Sequence, residues 1–264
     1  MKRMLQYAAI RTVDGLMAGI PRELPQAEVV ERCRLIAHRG VHDNRRVMEN
    51  TLAAFELARA AGVWGVECDI RWTADLVPVV CHDHDARRVF GRSLRIGELT
   101  FARLRRELPL IPSLEEAIAE FGGNTHLMLE IKDHGPPRWD LWAAILRRHL
   151  AGLVPGRDYH VLALAPELFA AVNFLPPRYC FPVAQTNVSA LSRTSLEQGY
   201  GGLTGHFLLL DERIKQRHEL AGQRIGTGFV ASRNCLLREL NRGVEWIFSN
   251  NAARLQGILD SLRR

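Results

Sequence analysis

The sequence predicts an α/β protein built as a closed (β/α)8 TIM barrel, and three observations carry that expectation. Short apolar or β-branched runs alternate with helical patterns from residue 35 to the end, making eight strand–helix units plus one hairpin strand. Eight units within one stretch of this length suit a closed barrel better than an open doubly wound sheet. Glycines at Gly62, Gly122-Gly123, Gly201-Gly202, Gly222 and Gly243 fall where helices end and the chain turns into the next strand.

Taken in order, residues 4–20 place Leu5, Ala9, Val13, Leu16 and Ile20 at helical spacing, and Pro21 ends the pattern. This predicts an N-terminal amphipathic helix within an extension over residues 1–30. Its apolar face packs on the barrel or, in the sharper reading, lies on a membrane surface. The barrel domain follows over 31–264. Leu35–Ala37 reads as the first strand, then helix 49–61, strand 65–72 and its hairpin partner 77–81. Helical patterns near 100–107 and 113–121 lead into strand 126–132 and helix 139–150. Strands 160–164, 179–185, 203–210, 224–230 and 244–248 then alternate with helices 166–174, 190–198, 211–220, 233–241 and 251–262.

Composition narrows the class. With 47% hydrophobic and 24% charged residues, the chain has material for a substantial core and is neither disordered nor a disulfide scaffold. The net charge of +6 is scattered in pairs such as Arg45-Arg46, Arg87-Arg88, Arg105-Arg106 and Arg147-Arg148, which reads as solvated surface and not as a nucleic-acid footprint. The five cysteines form no CxxC pair, so a thiolate zinc site is not indicated and reduced thiols in a cytoplasmic protein fit best. Arg11 and Asp14 interrupt what would otherwise be a signal-peptide core, and no later run reaches the length of a membrane span.

The candidate chemistry sits at the ends of the early strands, where barrel enzymes place their reacting groups. His38-Arg39-Gly40 follows the first strand. Glu67 and Asp69 lie two residues apart on the next, so both carboxylates share one face while Cys68 points away. Two buried like charges need a cation, and oxygen donors suit a hard divalent ion, Mg²⁺ or Ca²⁺; the alternative is neutralisation by arginines. His82-Asp83 ends the hairpin strand, but His84-Asp85 repeats the dipeptide, and spacing alone does not choose between the histidines. Glu130-Ile131-Lys132 adds a third acid and one of only three lysines. Histidines, carboxylates and cations of this kind suit phosphoryl transfer. Of the other histidines, His126, His149, His160, His206 and His218 read as surface or core. His42 and His84 stay open, as does Trp72 between packing and the mouth.

These motifs together resemble the glycerophosphodiester phosphodiesterase family. The resemblance runs through His38-Arg39-Gly40, Glu49-Asn50-Thr51-Leu52-Ala53-Ala54-Phe55, Gly65-Val66-Glu67-Cys68-Asp69, Thr73, Asp75, Pro78-Val79-Val80 and His82-Asp83. It continues in Ile111-Pro112-Ser113-Leu114-Glu115-Glu116, Leu129-Glu130-Ile131-Lys132 and Gly243-Val244-Glu245-Trp246-Ile247, with nearly all the specificity in residues 35–132.

The resemblance implies a barrel of the PLC-like phosphodiesterase type that hydrolyses small-molecule glycerophosphodiesters to an alcohol and sn-glycerol 3-phosphate. It also implies that the glycerol's own hydroxyl attacks phosphorus to give a cyclic phosphate, which water opens. His38 and His82 are then general acid and base in an order left open. One divalent cation sits on Glu67, Asp69 and Glu130, Arg39 and Lys132 contact the phosphate, and Glu49 orients the first-histidine region.

The chain departs from the family in three places. The insertion after His82 is minimal, which opens the mouth. Thr227-Gly228-Phe229-Val230-Ala231-Ser232 replaces a Trp-Thr-Val-Asn stretch and alters the aromatic wall, and Asn250-Asn251 stands where an Asp precedes Pro. Competing readings are a lysophospholipase D, helped by the N-terminal helix, and a non-catalytic phosphate-binding barrel.

Overall fold

A strand in the middle of a parallel barrel is buried on both faces, so its residues divide by parity between the barrel interior and the helical coat. The computed structural model describes residues 12–13, 15–132 and 138–263, and the division is visible in every early strand. Eight parallel strands close the barrel: β1 (Arg34–His38), β2 (Gly65–Trp72), β4 (His126–Ile131), β5 (Tyr159–Ala163), β6 (Cys180–Ala184), β7 (Gly202–His206), β8 (Arg224–Gly228) and β9 (Trp246–Ser249). β9 returns to β1 with Arg34 opposite Trp246, and β1 meets β2 with Ile36 opposite Gly65. β3 (Pro78–Val80) is antiparallel to the end of β2, pairing Val80 with Ile70.

Ile36, Met128, Leu162, Phe181, Trp246 and Phe248 fill the barrel interior. Leu35, Ala37, Val66, Cys68, Ile70, Leu127 and Leu129, of opposite parity, pack outward with the helices. Two residues further along the same inward face come His38 above Ile36 and Glu130 above Met128. The apolar plug thus forms the floor beneath a polar mouth.

The coat consists of α1 (Ala27–Arg32), α2 (Leu52–Ala60), α3 (Arg87–Phe90), α4 (Phe101–Glu107), α5 (Leu114–Phe121), α6 (Trp139–Leu150), α7 (Val188–Glu197), α8 (Glu212–Leu220), α9 (Arg233–Asn241) and α10 (Ala252–Leu262). α2 starts at Leu52, later than the sequence pattern suggests. Asn50 takes a left-handed φ of 57° and Thr51 caps the helix by accepting from Ala54 N. After β5 the expected helix 166–174 is instead a 3₁₀ segment, Pro166–Val172. The strand expected to reach 210 stops at His206, where Leu209 N turns back to His206 O at 2.9 Å.

The segment 83–110 is short but structured: Ala86, Ile96, Leu99, Leu104 and Leu108 form their own core with Val79, Cys81 and Ile111. At the N-terminus, residues 15–19 are helical. Val13, Leu16 and Ile20 of the predicted stripe are exposed, whereas Met17 and Ala18 pack on the core. Leu5 and Ala9 of that stripe lie outside the described residues. No helix among the described residues is long and apolar enough to cross a membrane.

Gly40 fixes the turn that follows β1. Its φ is +78°, and a Cβ there would lie 2.7 Å from the backbone carbon of Ala54 on α2. Gly40→Ala is therefore expected to cost about 1–3 kcal/mol from backbone strain alone, with the clash added. Urea unfolding would measure it, and an unchanged midpoint would contradict the assigned role.

Candidate active site

Strand register brings the acids together. His38 lies opposite Glu67 across β1 and β2, and Asp69 lies opposite Glu130 across β2 and β4. All four face the barrel axis. Carboxylate oxygens of Glu67, Asp69 and Glu130 lie within 4.8 Å of one another, and all three residues are buried. Glu67 Oε1 is buried with no hydrogen-bond partner. A buried, unpartnered carboxylate oxygen in an all-oxygen triad fits a hard divalent cation.

Two cations already act on this cluster. Arg39 Nε stands 3.2 Å from Asp69 Oδ2, and its Nη1 donates to Glu49 Oε1 at 2.8 Å. Lys132 Nζ is 2.8 Å from Asp69 Oδ1 and also donates to Glu130 Oε1. The arginine reaches its place through strain: Arg39 has φ 60°, which lets its N–H donate to Glu67 Oε2 at 3.0 Å. Asn50, which the motif reading left without a role, donates from Nδ2 to Asp69 Oδ2 at 2.7 Å.

These contacts split the acids. Burial and the charges of Asp69 and Glu130 push Glu67 well above the usual carboxylate range. Glu130 is raised by burial despite the pull of Lys132. Burial pushes Asp69 the same way, but Lys132, Arg39 and His82 outweigh it and hold Asp69 below its ordinary value. Glu49, also buried, is held low against burial by Arg88 and Arg39.

The hairpin decides between His82 and His84. Cys81 N donates to Asp69 O at 2.8 Å and Arg71 Nε donates to His82 O at 2.7 Å, so His82 is drawn to the mouth. His84 is 67% exposed and pairs with Asp85. His82 Nδ1 is 2.7 Å from Asp83 Oδ1, and His38 Nδ1 is 2.7 Å from Asn250 Oδ1. Asn250 stands at the position the sequence marked only as a departure from the family, and here it anchors the first histidine. With Nδ1–H donating in each ring, both Nε2 atoms are left for chemistry.

His38, Arg39, Glu67, His82, Glu130 and Lys132 line one cavity of about 340 Å³. Its opposite wall is formed by the later strands and is largely apolar: Leu162, Leu164, Val183, Leu209, Phe229 and Phe248. His206 belongs to this wall, stacked on Phe229 at 5.7 Å, and not to the surface or core as expected from sequence. Phe229 also meets His38 edge-on at 5.3 Å. Nothing near His206 in the sequence marks it; only the end of β7 places it there. Glu49 and His42 do not line the cavity, and Trp72 is fully buried against Trp142, which settles it as packing.

Known proteins share the fold and part of the sequence. Residues 38–137 match the model of the Glycerophosphoryl diester phosphodiesterase family. Glycerophosphodiester phosphodiesterase 1 of Mus musculus is 40% identical over 119 residues, 39% of this chain and 35% of that protein. The chain thus spans about a third of the length of the curated relative it matches. A glycerophosphodiester phosphodiesterase structure from Parabacteroides distasonis superposes with a TM-score of 0.73 at 22% identity, covering 88% of this chain and 99% of that one. An Oleispira antarctica phosphodiesterase, solved with the product sn-glycerol-3-phosphate, gives 0.71 at 23% identity, covering 90% and 97%. The (β/α)8 fold expected from the sequence is borne out, and so is the family resemblance.

Glu67→Gln separates the costs inside the triad. Because the folded protein raises the Glu67 pKa, its charged form opposes folding at neutral pH. Metal-free Glu67→Gln protein is therefore expected to melt no lower than wild type, and to gain less than wild type on adding Mg²⁺ or Ca²⁺. Thermal unfolding with EDTA and with each ion checks both, and a lower metal-free melting temperature would count against it.

Proposed function

Taking residues 38–137 as a segment of the glycerophosphoryl diester phosphodiesterase family, we propose that this chain hydrolyses glycerophosphodiesters to an alcohol and sn-glycerol 3-phosphate. The observation that carries the reading is the pair of histidines, each anchored at Nδ1, on the cavity that holds the carboxylate triad. The substrate phosphate enters between Arg39 and Lys132, whose charges favour the dianionic phosphorane. Glu67, Asp69 and Glu130 would hold a divalent ion, Mg²⁺ or Ca²⁺, whose charge would add to that neutralisation.

The anchors of the two histidines differ, and that difference supports one order. His38 leans on a neutral amide, and burial and the Arg39 charge lower its pKa to about 4. It is neutral at pH 7, with Nε2 ready to take the proton of the attacking hydroxyl. Burial lowers His82 too, opposed by Asp69 and by the bond to Asp83. Lys132 and Arg39 also lower it; the bond to Asp83, which His38 lacks, is what favours His82 in this reading as the group that protonates the leaving alcohol. Glu49 acts through Arg39, whose guanidinium it holds on the Asp69 side.

A second reading is favoured by the apolar wall. Among the described residues lining the cavity, the later strands add Leu162, Leu164, Val183, Leu209, Phe229 and Phe248. Leu164 and Phe229 are 38% and 47% exposed at the rim, and Leu16 is 66% exposed beside Ala18, whose carbonyl is tied to Asn234 at the start of α9. Substrates carrying one acyl chain, cleaved in a lysophospholipase D reaction with this edge against a membrane, fit those surfaces. Leu164→Ser and Phe229→Ser are then expected to lower turnover of lysophosphatidylcholine about tenfold relative to glycerophosphocholine.

The main reading is tested by release of sn-glycerol 3-phosphate from glycerophosphocholine and glycerophosphoethanolamine with Mg²⁺, Ca²⁺ or EDTA. EDTA is expected to stop it, and His38→Ala to lower it by about 10²–10⁴-fold. Silence of the folded, metal-supplied protein on every diester would sink the reading and favour a phosphate-binding barrel. Asn250→Asp places a charge on His38, raises its pKa, and is expected to move the acidic limb of kcat/KM upward by about one pH unit or more. An unmoved limb would reject His38 as the base.

A further inference from the structure

Arg88 lies on α3, in the small lobe outside the barrel, and its guanidinium is shared between both histidine arms. Nη1 and Nη2 donate to the two oxygens of Glu49 at 2.9 and 2.5 Å, and Nε donates to Asp83 Oδ2 at 2.7 Å. The other oxygen of Asp83 takes His82 Nδ1, while Glu49 Oε1 takes Arg39 Nη1. A chain of charge-assisted hydrogen bonds therefore runs His82, Asp83, Arg88, Glu49, Arg39, and an ion pair at 3.2 Å carries it on to Asp69.

The alternative is an ordinary surface ion pair, since the Arg88 side chain is 47% exposed and exposed pairs contribute little. The partner argues otherwise. The Glu49 side chain is only 4% exposed, so its charge is tolerable only while cations hold it. The fork geometry also fixes the orientation of both carboxylates, which a single point contact would not.

We propose that Arg88 is a positioning residue: by gripping Asp83 and Glu49 together, it holds the His82 ring in a fixed relation to the Arg39 arm across the cavity. Asp83 is clamped at both oxygens, His82 on one and Arg88 on the other, so its carboxylate cannot rotate and carry the imidazole away. The proposal rests on the phosphodiesterase reading for its kinetic consequence, though not for its structural one.

The test pairs kinetics with a signal that needs no turnover. In Arg88→Ala, kcat on glycerophosphocholine is expected to fall about 10- to 100-fold with KM little changed. Added guanidinium, and not potassium at equal ionic strength, should restore part of it. Asp83→Asn should cost less in that background than in wild type. In parallel, the His82 ring resonances of the metal-free protein, single in wild type, should broaden or double in Arg88→Ala. Arg88→Gln, which keeps the stem, serves if the alanine variant does not fold. If wild type hydrolyses no diester, the functional reading falls and the resonance measurement alone decides. An unchanged kcat in an active enzyme, or an unchanged His82 signal, overturns the proposal.

Discussion

Three carboxylates buried within 4.8 Å of one another set the terms for the rest of the mouth. Each charge brought out of water costs several kcal/mol unless compensated. Lys132 and Arg39 are therefore drawn inward, and they polarise the acids unequally, leaving Asp69 charged and Glu67 raised. The structure accepts strain to achieve this. Arg39 adopts a left-handed backbone at a residue that disfavours it, and the following Gly40 allows the loop to pass against α2. Among the described carboxylate oxygens of the triad, Glu67 Oε1 is left buried with no hydrogen-bond partner and no ion pair.

The barrel makes this arrangement affordable by separating functions along a single face of each strand. On β1 and β4 the same inward parity carries Ile36 then His38, and Met128 then Glu130. The apolar residues join Phe181, Leu162, Trp246 and Phe248 in a dry floor, which lowers the local dielectric and strengthens every interaction above it. Below that floor, His126 and His160 share a hydrogen bond at 2.8 Å among Trp64, Trp246 and Phe181. They are satisfied core histidines with pKa values lowered by burial, to about 4 and about 3. The two kinds of histidine thus differ by which end of a strand they occupy.

The mouth is asymmetric. The acids and cations, with His38 and His82, come from β1, β2, β4 and the hairpin, whereas β5 to β9 contribute a largely aliphatic and aromatic wall that includes His206. The family match, residues 38–137, covers the acids, His38, His82, Arg39 and Lys132 and stops before the wall.

The sequence by itself determined the barrel, the sites of the triad and the two dipeptides that hold the histidines. These follow from period-two alternation and from residue types whose chemistry is local: Glu67 and Asp69 must share a face, and so must Glu130 and Lys132. It also showed the eight units, missing the short helices α1 and α3, too brief for a period to be read, and taking the 3₁₀ segment Pro166–Val172 for an α-helix. Only the tertiary structure decided between His82 and His84, placed Asn250 on His38 across 212 positions of chain, brought His206 into the wall, and turned Arg88 from one of many surface arginines into a bridge to Glu49. Each of those depends on strands closing into a ring. Spacing along a chain fixes the direction of a side chain within its own element, but not which distant element will stand opposite it.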